Sequence, residues 1–333
     1  MTVIVTASSA GVVPDAGYPG LIADIGGTNV RFALVDALGG IHEPVTLKCA
    51  DYASPVDAAR VYLAQRPEGR PTAAVFAVAS PITSDQVSMT NHPWNFSIAE
   101  SREALGLERF EVINDFAAVA HGLPAFTDED KAIVNRGEPH DHAPIALLGP
   151  GTGLGVSALV PSGAGRWTVV AGEGGHTTLP ACDDREAGLI AWLRQRHGHV
   201  SAERLLSGPG LVAIHDALRA MMDLPPESVT PADLSRRAAH GESLAKDAYD
   251  IFFALLGTFA GNVALMLGAK GGVVLAGGIL PRVLPALLSS RFMVRFVAKG
   301  RFEGYLRTVP VSVLTHPFPA FPGLARRLIL PVE

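Results

Sequence analysis

The stretch LIADIGGTNVRFALVD, residues 21–36, decides the fold of this chain. An apolar run is followed by a Gly-Gly turn and then by a second run in which apolar and polar residues alternate, which is typical of a β-hairpin with a glycine corner. A similar pattern returns in APIALLGPGTGLGVSALV, residues 143–160. The repetition predicts a duplicated architecture of two α/β lobes with helices on their faces.

The composition of the chain is that of a packed globular protein. Its 333 residues are 48% hydrophobic and 18% charged, which argues against disorder, and a prior of roughly 150 residues per domain allows two domains. The net charge of −5, with no long basic run, argues against nucleic-acid binding. Cys49 and Cys182 are too few cysteines for a disulfide scaffold or a four-cysteine zinc site. We therefore expect a cytoplasmic protein.

Two segments bear on the membrane and on targeting. Residues 1–19 lack the positively charged region of a signal peptide, so we interpret them as a flexible tail. Residues 251–269 are nearly charge-free and about as long as a bilayer span, roughly 20 residues. Because this stretch contains Asn262 and leads at once into the strand-like GGVVLAGGIL, a buried helix is the better interpretation. Its glycines at 257 and 261 would permit close helix packing.

The remaining elements follow from periodicity. Apolar residues recur at helical spacing in residues 56–66, and residues 72–79 form a short buried strand. A strand, EVIND, then leads into a helix, FAAVAHGL. Helical periodicity dominates residues 186–269, and it is followed by the strand VVLAGGI, the strand VPVSVLTH and the C-terminal helix PGLARRLIL.

The order of these elements predicts the domain boundaries. We expect a small α/β domain at residues 20–125 and 317–333, because the last helix should pack back on the N-terminal lobe. Residues 126–316 would form a large α/β domain, and a cleft between the lobes is the natural ligand site. The prolines of residues 317–322 stiffen the approach to the last helix.

Glycine-rich turns are the first functional signal. Such a turn points successive backbone N–H groups inward, and this concavity binds phosphate oxygens without a basic side chain. The P-loop pattern GxxxxGK[ST] is absent from the sequence, and GPGTGLG does not fit the dinucleotide pattern GxGxxG. One Gly-Gly turn is more often structural than functional, but three such turns together point to a polyphosphate ligand.

Asp24 precedes the first of these turns at the end of a strand. A carboxylate that faces bound phosphates would repel them unless a cation intervenes. Mg²⁺ is typically held by one or two carboxylates together with water and substrate phosphates. Asp24 is therefore a candidate Mg²⁺ ligand, directly or through a water molecule, and the alternative is an Asp that caps the turn.

The polar pair Asn114-Asp115 interrupts the apolar run FEVINDFA, residues 110–117. Asp115 stands at the carboxyl end of a predicted strand, where ligands of α/β lobes characteristically bind. Its neighbour Asn114 can both donate and accept hydrogen bonds, which suits the reading of sugar hydroxyls. The alternative is that Asp115 is the N-cap of the helix FAAVAHGL, a contribution of about 1 kcal/mol.

The segment GEGGHTTLP, residues 172–180, places Glu173 and His176 three residues apart among glycines. Both side chains could face a ligand. Zinc binding is a rival explanation, but His176 has no partner at zinc-ligand spacing. The pairs His140/His142 and His197/His199 are more simply interpreted as polar loop residues.

Taken together, DIGGTN, GPGTGLG and AGGI resemble the two phosphate motifs and the adenosine motif of the superfamily that contains actin, hexokinase and the heat-shock chaperone ATPases. More narrowly, the chain resembles the bacterial ATP-dependent glucokinases from about Leu21 to about Arg307. The motifs that carry this resemblance are SPITSDQVSMTNHPWNFSI, INDF, GPGTGLGV, GEGGHTTLP, SAERLLSGPGL and AGGILPR. The resemblance implies a two-lobed, actin-like (ribonuclease H-like) α/β fold with an interdomain cleft, ATP and Mg²⁺ as cofactors, glucose as substrate and a homodimer.

The resemblance also assigns roles to residues. Asp115 would accept the proton of the sugar 6-hydroxyl, and the sugar hydroxyls would contact Asn114, Asp115, Glu173, His176 and Glu203. The nucleotide-binding residues would be Ala23, Asp24, Ile25, Gly26, Gly27, Thr28, Thr152, Gly153, Gly277 and Gly278, the last two beside the nucleoside. Carboxylates suit a polyol because an inverted hydroxyl would leave a buried acceptor unpaired, at about 1–3 kcal/mol.

A related family of repressors and sugar kinases, the ROK family, has a cysteine-rich zinc motif after its corresponding Glu-containing segment. Here that region reads TTLPACDDREAG, with Cys182 alone, which favours the non-ROK branch. ROK regulators also carry an N-terminal DNA-binding helix-turn-helix, which twenty residues without a basic side chain cannot supply. A kinase for another hexose, or a sugar- and nucleotide-binding sensor with negligible catalysis, remains an alternative.

Overall fold

The structure is a computed structural model that describes residues 20–66, 70–89 and 92–329. The tail predicted at residues 1–19 lies outside the described residues, as do two positions of the SPITSDQVSMTNHPWNFSI motif, residues 90 and 91. The described residues form two compact units. The first comprises residues up to Thr127 together with those from His316 onward, and the second is Asp128–Thr315.

Both units contain strands and helices. In chain order the strands are β1 (Gly20–Ile25), β2 (Asn29–Val35), β3 (Ile41–Lys48), β4 (Ala73–Val78), β5 (Gln86–Ser88), β6 (Asn95–Ser97), β7 (Arg109–Asn114), β8 (Lys131–Asn135), β9 (Ile145–Pro150), β10 (Leu154–Gly163), β11 (Arg166–Gly172), β12 (Gly272–Leu275) and β13 (Val311–Leu314). The α-helices are α1 (Pro55–Ala64), α2 (Ile98–Leu105), α3 (Asp115–Gly122), α4 (Asp184–His197), α5 (Gly208–Met221), α6 (Pro231–Ala239), α7 (Ser243–Leu267), α8 (Leu284–Leu288), α9 (Phe292–Val297), α10 (Glu303–Arg307) and α11 (Phe321–Ile329).

The main sheet of the first unit has the strand order β3-β2-β1-β4-β7. Strands β1 and β2 form the predicted antiparallel hairpin, whereas β1, β4 and β7 run parallel. The parallel register sets Ile25 level with Val78, and Val78 level with Asn114. The turn after β1 and the Asn114-Asp115 pair therefore lie at one edge of the sheet, roughly 10 Å apart, since each strand spacing is about 4.8 Å.

Helix α11 packs on the first unit, as predicted for the last helix. Its Arg327 Nε donates to Glu111 Oε1 at 2.8 Å, and Arg109 Nη2 donates to the Arg327 carbonyl at 2.7 Å. Glycines let α11 and α3 approach at backbone contact. A Cβ on Gly323 would overlap the carbonyl oxygen of Ala118, and one on Gly122 would lie 2.9 Å from the Gly323 nitrogen. This contact fixes the helix that begins at Asp115.

The second unit repeats the arrangement of the first. Its sheet has the order β11-β10-β9-β12-β13-β8. Strands β9 and β10 form the second predicted hairpin, and β12 lies parallel to β9, as β4 lies parallel to β1. The mixed α/β architecture and the duplicated hairpin are thus confirmed.

Helix α7 is the central helix of the second unit. Its 25 residues are long and apolar enough to cross a membrane, but 72% of its apolar window is buried inside the protein. A Cβ on Gly257 would overlap the Phe292 carbonyl oxygen, and one on Gly261 would overlap that of Phe296, so α9 lies in backbone contact with this face. These contacts support the interpretation as a buried core helix.

We predict that Gly323→Ala lowers the free energy of unfolding by about 1–3 kcal/mol, because the added methyl group overpacks the contact between α3 and α11. Calorimetric melting should show the loss. A matched control is Gly304→Ala, on the exposed helix α10, where a Cβ has no neighbour within 4 Å. The control should leave stability unchanged or raise it by up to about 1 kcal/mol. Equal effects of the two substitutions would contradict the proposed packing.

Candidate functional site

The turn between β1 and β2 is held by backbone contacts. The Gly26 N–H donates to the Asn29 carbonyl at 2.9 Å, and the Cys49 N–H donates to the Thr28 carbonyl at 2.9 Å. Neither Gly26 nor Gly27 adopts a positive φ, and a Cβ on Gly26 would only reach ordinary contact with Asn29 O at 3.5 Å. A Cβ at position 26 would therefore overlap no atom of the protein.

Asp24 forms an ion pair across this hairpin. Arg31 stands opposite Asp24 in the register, and its Nη1 donates to Asp24 Oδ2 at 2.8 Å. Burial raises the pKa of the Asp24 carboxyl above its ordinary value, and the Arg31 guanidinium opposes that rise. The hydrogen bond goes to Arg31 rather than to the turn backbone, so the turn-capping alternative is not supported. No sequence motif indicated Arg31, although Arg31 follows the turn at about the distance in sequence at which Asp24 precedes it.

This geometry limits how Asp24 could hold Mg²⁺. Because Arg31 bonds Oδ2, Oδ1 is the oxygen with which Asp24 would hold the ion, directly or through a water molecule. Among the described residues, no group of three or more His, Cys, Asp and Glu side chains converges as a metal site. A magnesium ion held by one carboxylate, water and substrate phosphates does not need such a group.

Asn114, and not Asp115, caps α3. Its Oδ1 accepts from the N–H groups of Phe116 at 2.9 Å and Ala117 at 3.2 Å. Asp115 is the first residue of the helix, and its Oδ1 also accepts from Phe116 N at 2.9 Å. The alternative that Asp115 is the N-cap is therefore wrong by one residue. The cap engages the amide oxygen of Asn114, so Nδ2 is the group with which Asn114 would contact a sugar.

The glycine turn of the second unit, residues 151–153, rests on the start of α5. The Gly151 carbonyl accepts from the Gly208 N–H at 2.8 Å, and Gly208 is the first residue of that helix. Ser207 caps α5 by accepting from the Gly210 N–H at 3.0 Å. Thr152 is exposed at the tip of the turn. The turn is thus fixed at its base and open at its tip.

Glu203 lies directly against this turn. Its Oε2 accepts from the Leu154 N–H at 2.8 Å, and a Cβ on Gly153 would overlap the same oxygen. Position 153 therefore accepts only a glycine as long as the Glu203 carboxylate stays in this place. The Glu203 N–H in turn donates to the Gly175 carbonyl at 2.8 Å, which joins Glu203 to the GEGGHTTLP segment.

Glu173 and His176 stand at the two ends of one turn of 3-10 helix, Gly174–His176. Glu173 Oε2 and His176 Nε2 are 3.8 Å apart, and each side chain is 61% exposed. A Cβ on Gly175 would overlap the Leu154 carbonyl oxygen, so this segment touches the first residue of β10. The structure brings together the three sugar-binding residues predicted in this unit, around the start of one strand.

The turn after β12 packs on the end of β9. Gly277 has φ +88°, and a Cβ there would overlap the Pro150 carbonyl oxygen, so both its conformation and its surroundings require glycine. The Ala276 N–H donates to the Leu148 carbonyl at 2.7 Å. Gly278 faces open space. The second and third glycine turns of the sequence are therefore neighbours in the second unit.

The second unit also contains a cavity of about 670 Å³, within the range of small-molecule sites. It lies between α6, α7 and residues 282–290, and its polar lining includes Ser235, Lys246, Tyr249 and Arg282. Pro231, at the start of α6, reaches the neighbourhood of Gly208. No sequence motif indicated this cavity, because its walls come from three separate segments.

A family model described as Glucokinase matches residues 21–329. The glucokinase of Paramagnetospirillum magneticum (strain ATCC 700264 / AMB-1) is 50% identical over 307 residues, which are 92% of this chain and 96% of that protein. The glucokinase of Neisseria meningitidis serogroup C (strain FAM18) is 48% identical over 314 residues, 94% of this chain and 95% of that protein.

A solved structure gives the same result. The crystal structure of a glucokinase from an Antarctic psychrotroph is 39% identical and has a TM-score of 0.83, with coverage of 93% of this chain and 98% of that one. These matches confirm the actin-like α/β fold and the resemblance to bacterial ATP-dependent hexose kinases of the non-ROK type. The roles of single residues stay predictions. The chain belongs to the glucokinase family.

Proposed function

We propose that this protein transfers the γ-phosphate of ATP to the 6-hydroxyl of D-glucose, giving glucose 6-phosphate and ADP. Beyond family membership, the observation that carries the proposal is the position of Glu203. Its carboxylate accepts from the first amide of β10, directly after the turn at residues 151–153, and its own N–H bonds to the segment of Glu173 and His176. The turn at residues 151–153, which suits phosphate, and the side chains of Glu173, His176 and Glu203, which suit a polyol, thus lie together at the start of β10.

The nucleotide is proposed to lie on glycine turns. Backbone N–H groups of residues 27–28 and 152–153 would bind the phosphate oxygens, as oriented amides do in other anion-binding turns. The adenosine would lie beside Gly277 and Gly278, and the cavity lined by Arg282, a few residues further along the chain, has a volume of about 670 Å³ that accommodates it. Asp24 would hold Mg²⁺ directly or through water, and the bound ion would neutralise phosphate charge.

Asp115 is proposed as the general base. The sugar 6-oxygen attacks the γ-phosphorus in line, the bond to the ADP oxygen breaks, and the hydroxyl proton passes to the Asp115 carboxylate. Asp115 stands in the first turn of α3, beside the N-terminal N–H groups of the helix. The Asn114 cap leaves Asp115 unnecessary for starting the helix.

Glucose is proposed as the preferred sugar because the chain belongs to the glucokinase family. The carboxylates of Glu173 and Glu203, with the imidazole of His176 beside them, would accept hydrogen bonds from its hydroxyls. A cytoplasmic location and a homodimer are also proposals, which rest on the two cysteines of the chain and on the family resemblance. Sedimentation equilibrium would test the dimer. A kinase for another hexose and a sensor without catalysis are the competing functions.

We predict that Asp115→Asn lowers kcat by at least about 10²-fold, the low end for a positioned general base, while glucose binding and the fold persist. ADP release should be measured with glucose, mannose, fructose, glucosamine and no sugar. A matched control is Asp184→Asn, because Asp184 is the exposed first residue of α4, as Asp115 is the first residue of α3. The control should keep full activity.

The same measurements discriminate between the functions. Unaltered turnover in Asp115→Asn would remove this residue from the role of base. Faster wild-type turnover with another hexose would identify that sugar as the substrate. Glucose binding by calorimetry without turnover of any sugar would favour a sensor.

We predict that Gly26→Ala raises the KM for ATP about tenfold, equivalent to about 1.4 kcal/mol, and leaves the KM for glucose unchanged. The new methyl group meets only Asn29 O at 3.5 Å within the protein, so its effect would come from crowding the phosphates. The melting temperature should stay at the wild-type value. Wild-type ATP kinetics in this variant would argue against phosphate binding at the first turn.

A further inference from the structure

Cys49 lies beneath the turn at residues 26–28. It is fully buried and begins a turn of 3-10 helix, Cys49–Asp51, directly after β3. Its N–H donates to the Thr28 carbonyl at 2.9 Å, and its thiol donates to the Gly26 carbonyl at 3.4 Å. One buried residue therefore holds two carbonyl groups of the turn.

The thiol contact fixes the orientation of a peptide group. In a trans peptide the C=O and the following N–H point in opposite directions. Because the Gly26 carbonyl faces the buried thiol, the Gly27 N–H faces away from it, on the partly exposed side of the turn. An amide that points outward from such a turn is the group that binds a phosphate oxygen.

The state of the thiol supports this arrangement. Burial raises the pKa of the Cys49 thiol above its ordinary value, so the sulfur stays protonated near neutral pH. A protonated thiol donates to a carbonyl oxygen, whereas a thiolate has no proton to donate.

We propose that Cys49 is a positioning residue for nucleotide binding, whose thiol orients the Gly26–Gly27 peptide so that the Gly27 N–H faces a phosphate of ATP. The inference rests on the proposed function, which brings ATP phosphates to this turn. Cys49 itself does not touch the substrate. Its contribution depends on a hydrogen-bond donor rather than on side-chain size, and two substitutions separate these properties.

Cys49→Val removes the donor and keeps a buried apolar side chain, whereas Cys49→Ser keeps a donor and places a smaller, polar group in the core. We expect Cys49→Val to raise the KM for ATP at least threefold, with the KM for glucose and the melting temperature close to wild type. We expect Cys49→Ser to keep the KM for ATP within twofold of wild type even though its melting temperature falls. Cys182→Ser, at the exposed cysteine, is the control for loss of a thiol and should change neither constant.

Three results would overturn the inference. The first is wild-type ATP kinetics in Cys49→Val. The second is a KM for ATP that changes with the melting temperature of the two variants and not with the presence of a hydrogen-bond donor. The third is an equal rise of the KM for ATP and the KM for glucose. Calorimetry with a non-hydrolysable ATP analogue separates this failure from failure of the proposed function. If the wild type binds the analogue without phosphorylating sugars, the affinity of Cys49→Val for the analogue still decides the inference. If the wild type does not bind the analogue, both the inference and the proposed function are overturned.

Discussion

The parallel register of β1, β4 and β7 is the constraint on which the first unit depends. It sets the last residues of three strands level, so the turn after β1 and the start of α3 meet one edge of the sheet. The sheet thereby brings together the turn after β1 and the start of α3, which are about 90 residues apart in the sequence. The backbone contact between α3 and α11 holds α3 at its middle and its C-terminal end, through Ala118, Gly122 and Gly323.

The two units contain the same structural element, but the reason for its glycines differs between them. Each has a glycine hairpin beside a parallel strand, as its sheet order shows. In the first unit the turn glycine at position 26 is not needed by the protein's own packing. In the second, Gly277 is required because the Pro150 carbonyl occupies the space a side chain would take, and Gly153 is required as long as the Glu203 carboxylate keeps its position. A glycine pattern alone does not distinguish a position left open for a ligand from one filled by the protein.

Much of the fold could be predicted because its signals are local. The hairpins, the buried helix within α7 and the return of α11 to the first unit follow from periodicity and from order along the chain. The residues brought together around Leu154 were also expected, but from family motifs rather than from spacing. The role of the Cys49 thiol and the walls of the cavity could not be predicted from the sequence, because they depend on contacts between distant segments. The cap at Asn114 was missed because it lies one residue before the predicted position. Arg31 was hidden for another reason, since only the hairpin register makes it the partner of Asp24.

The contact of Glu203 with the turn at residues 151–153 has a thermodynamic consequence. One residue contacts both the strand that leaves the turn and the segment that carries Glu173 and His176: its carboxylate accepts from the Leu154 N–H, and its backbone N–H donates to the Gly175 carbonyl. Under the proposed function, a shift of that turn on nucleotide binding would move a sugar ligand as well. The two affinities would then be linked, and reciprocity requires that whatever factor ATP imposes on the affinity for glucose, glucose imposes on the affinity for ATP.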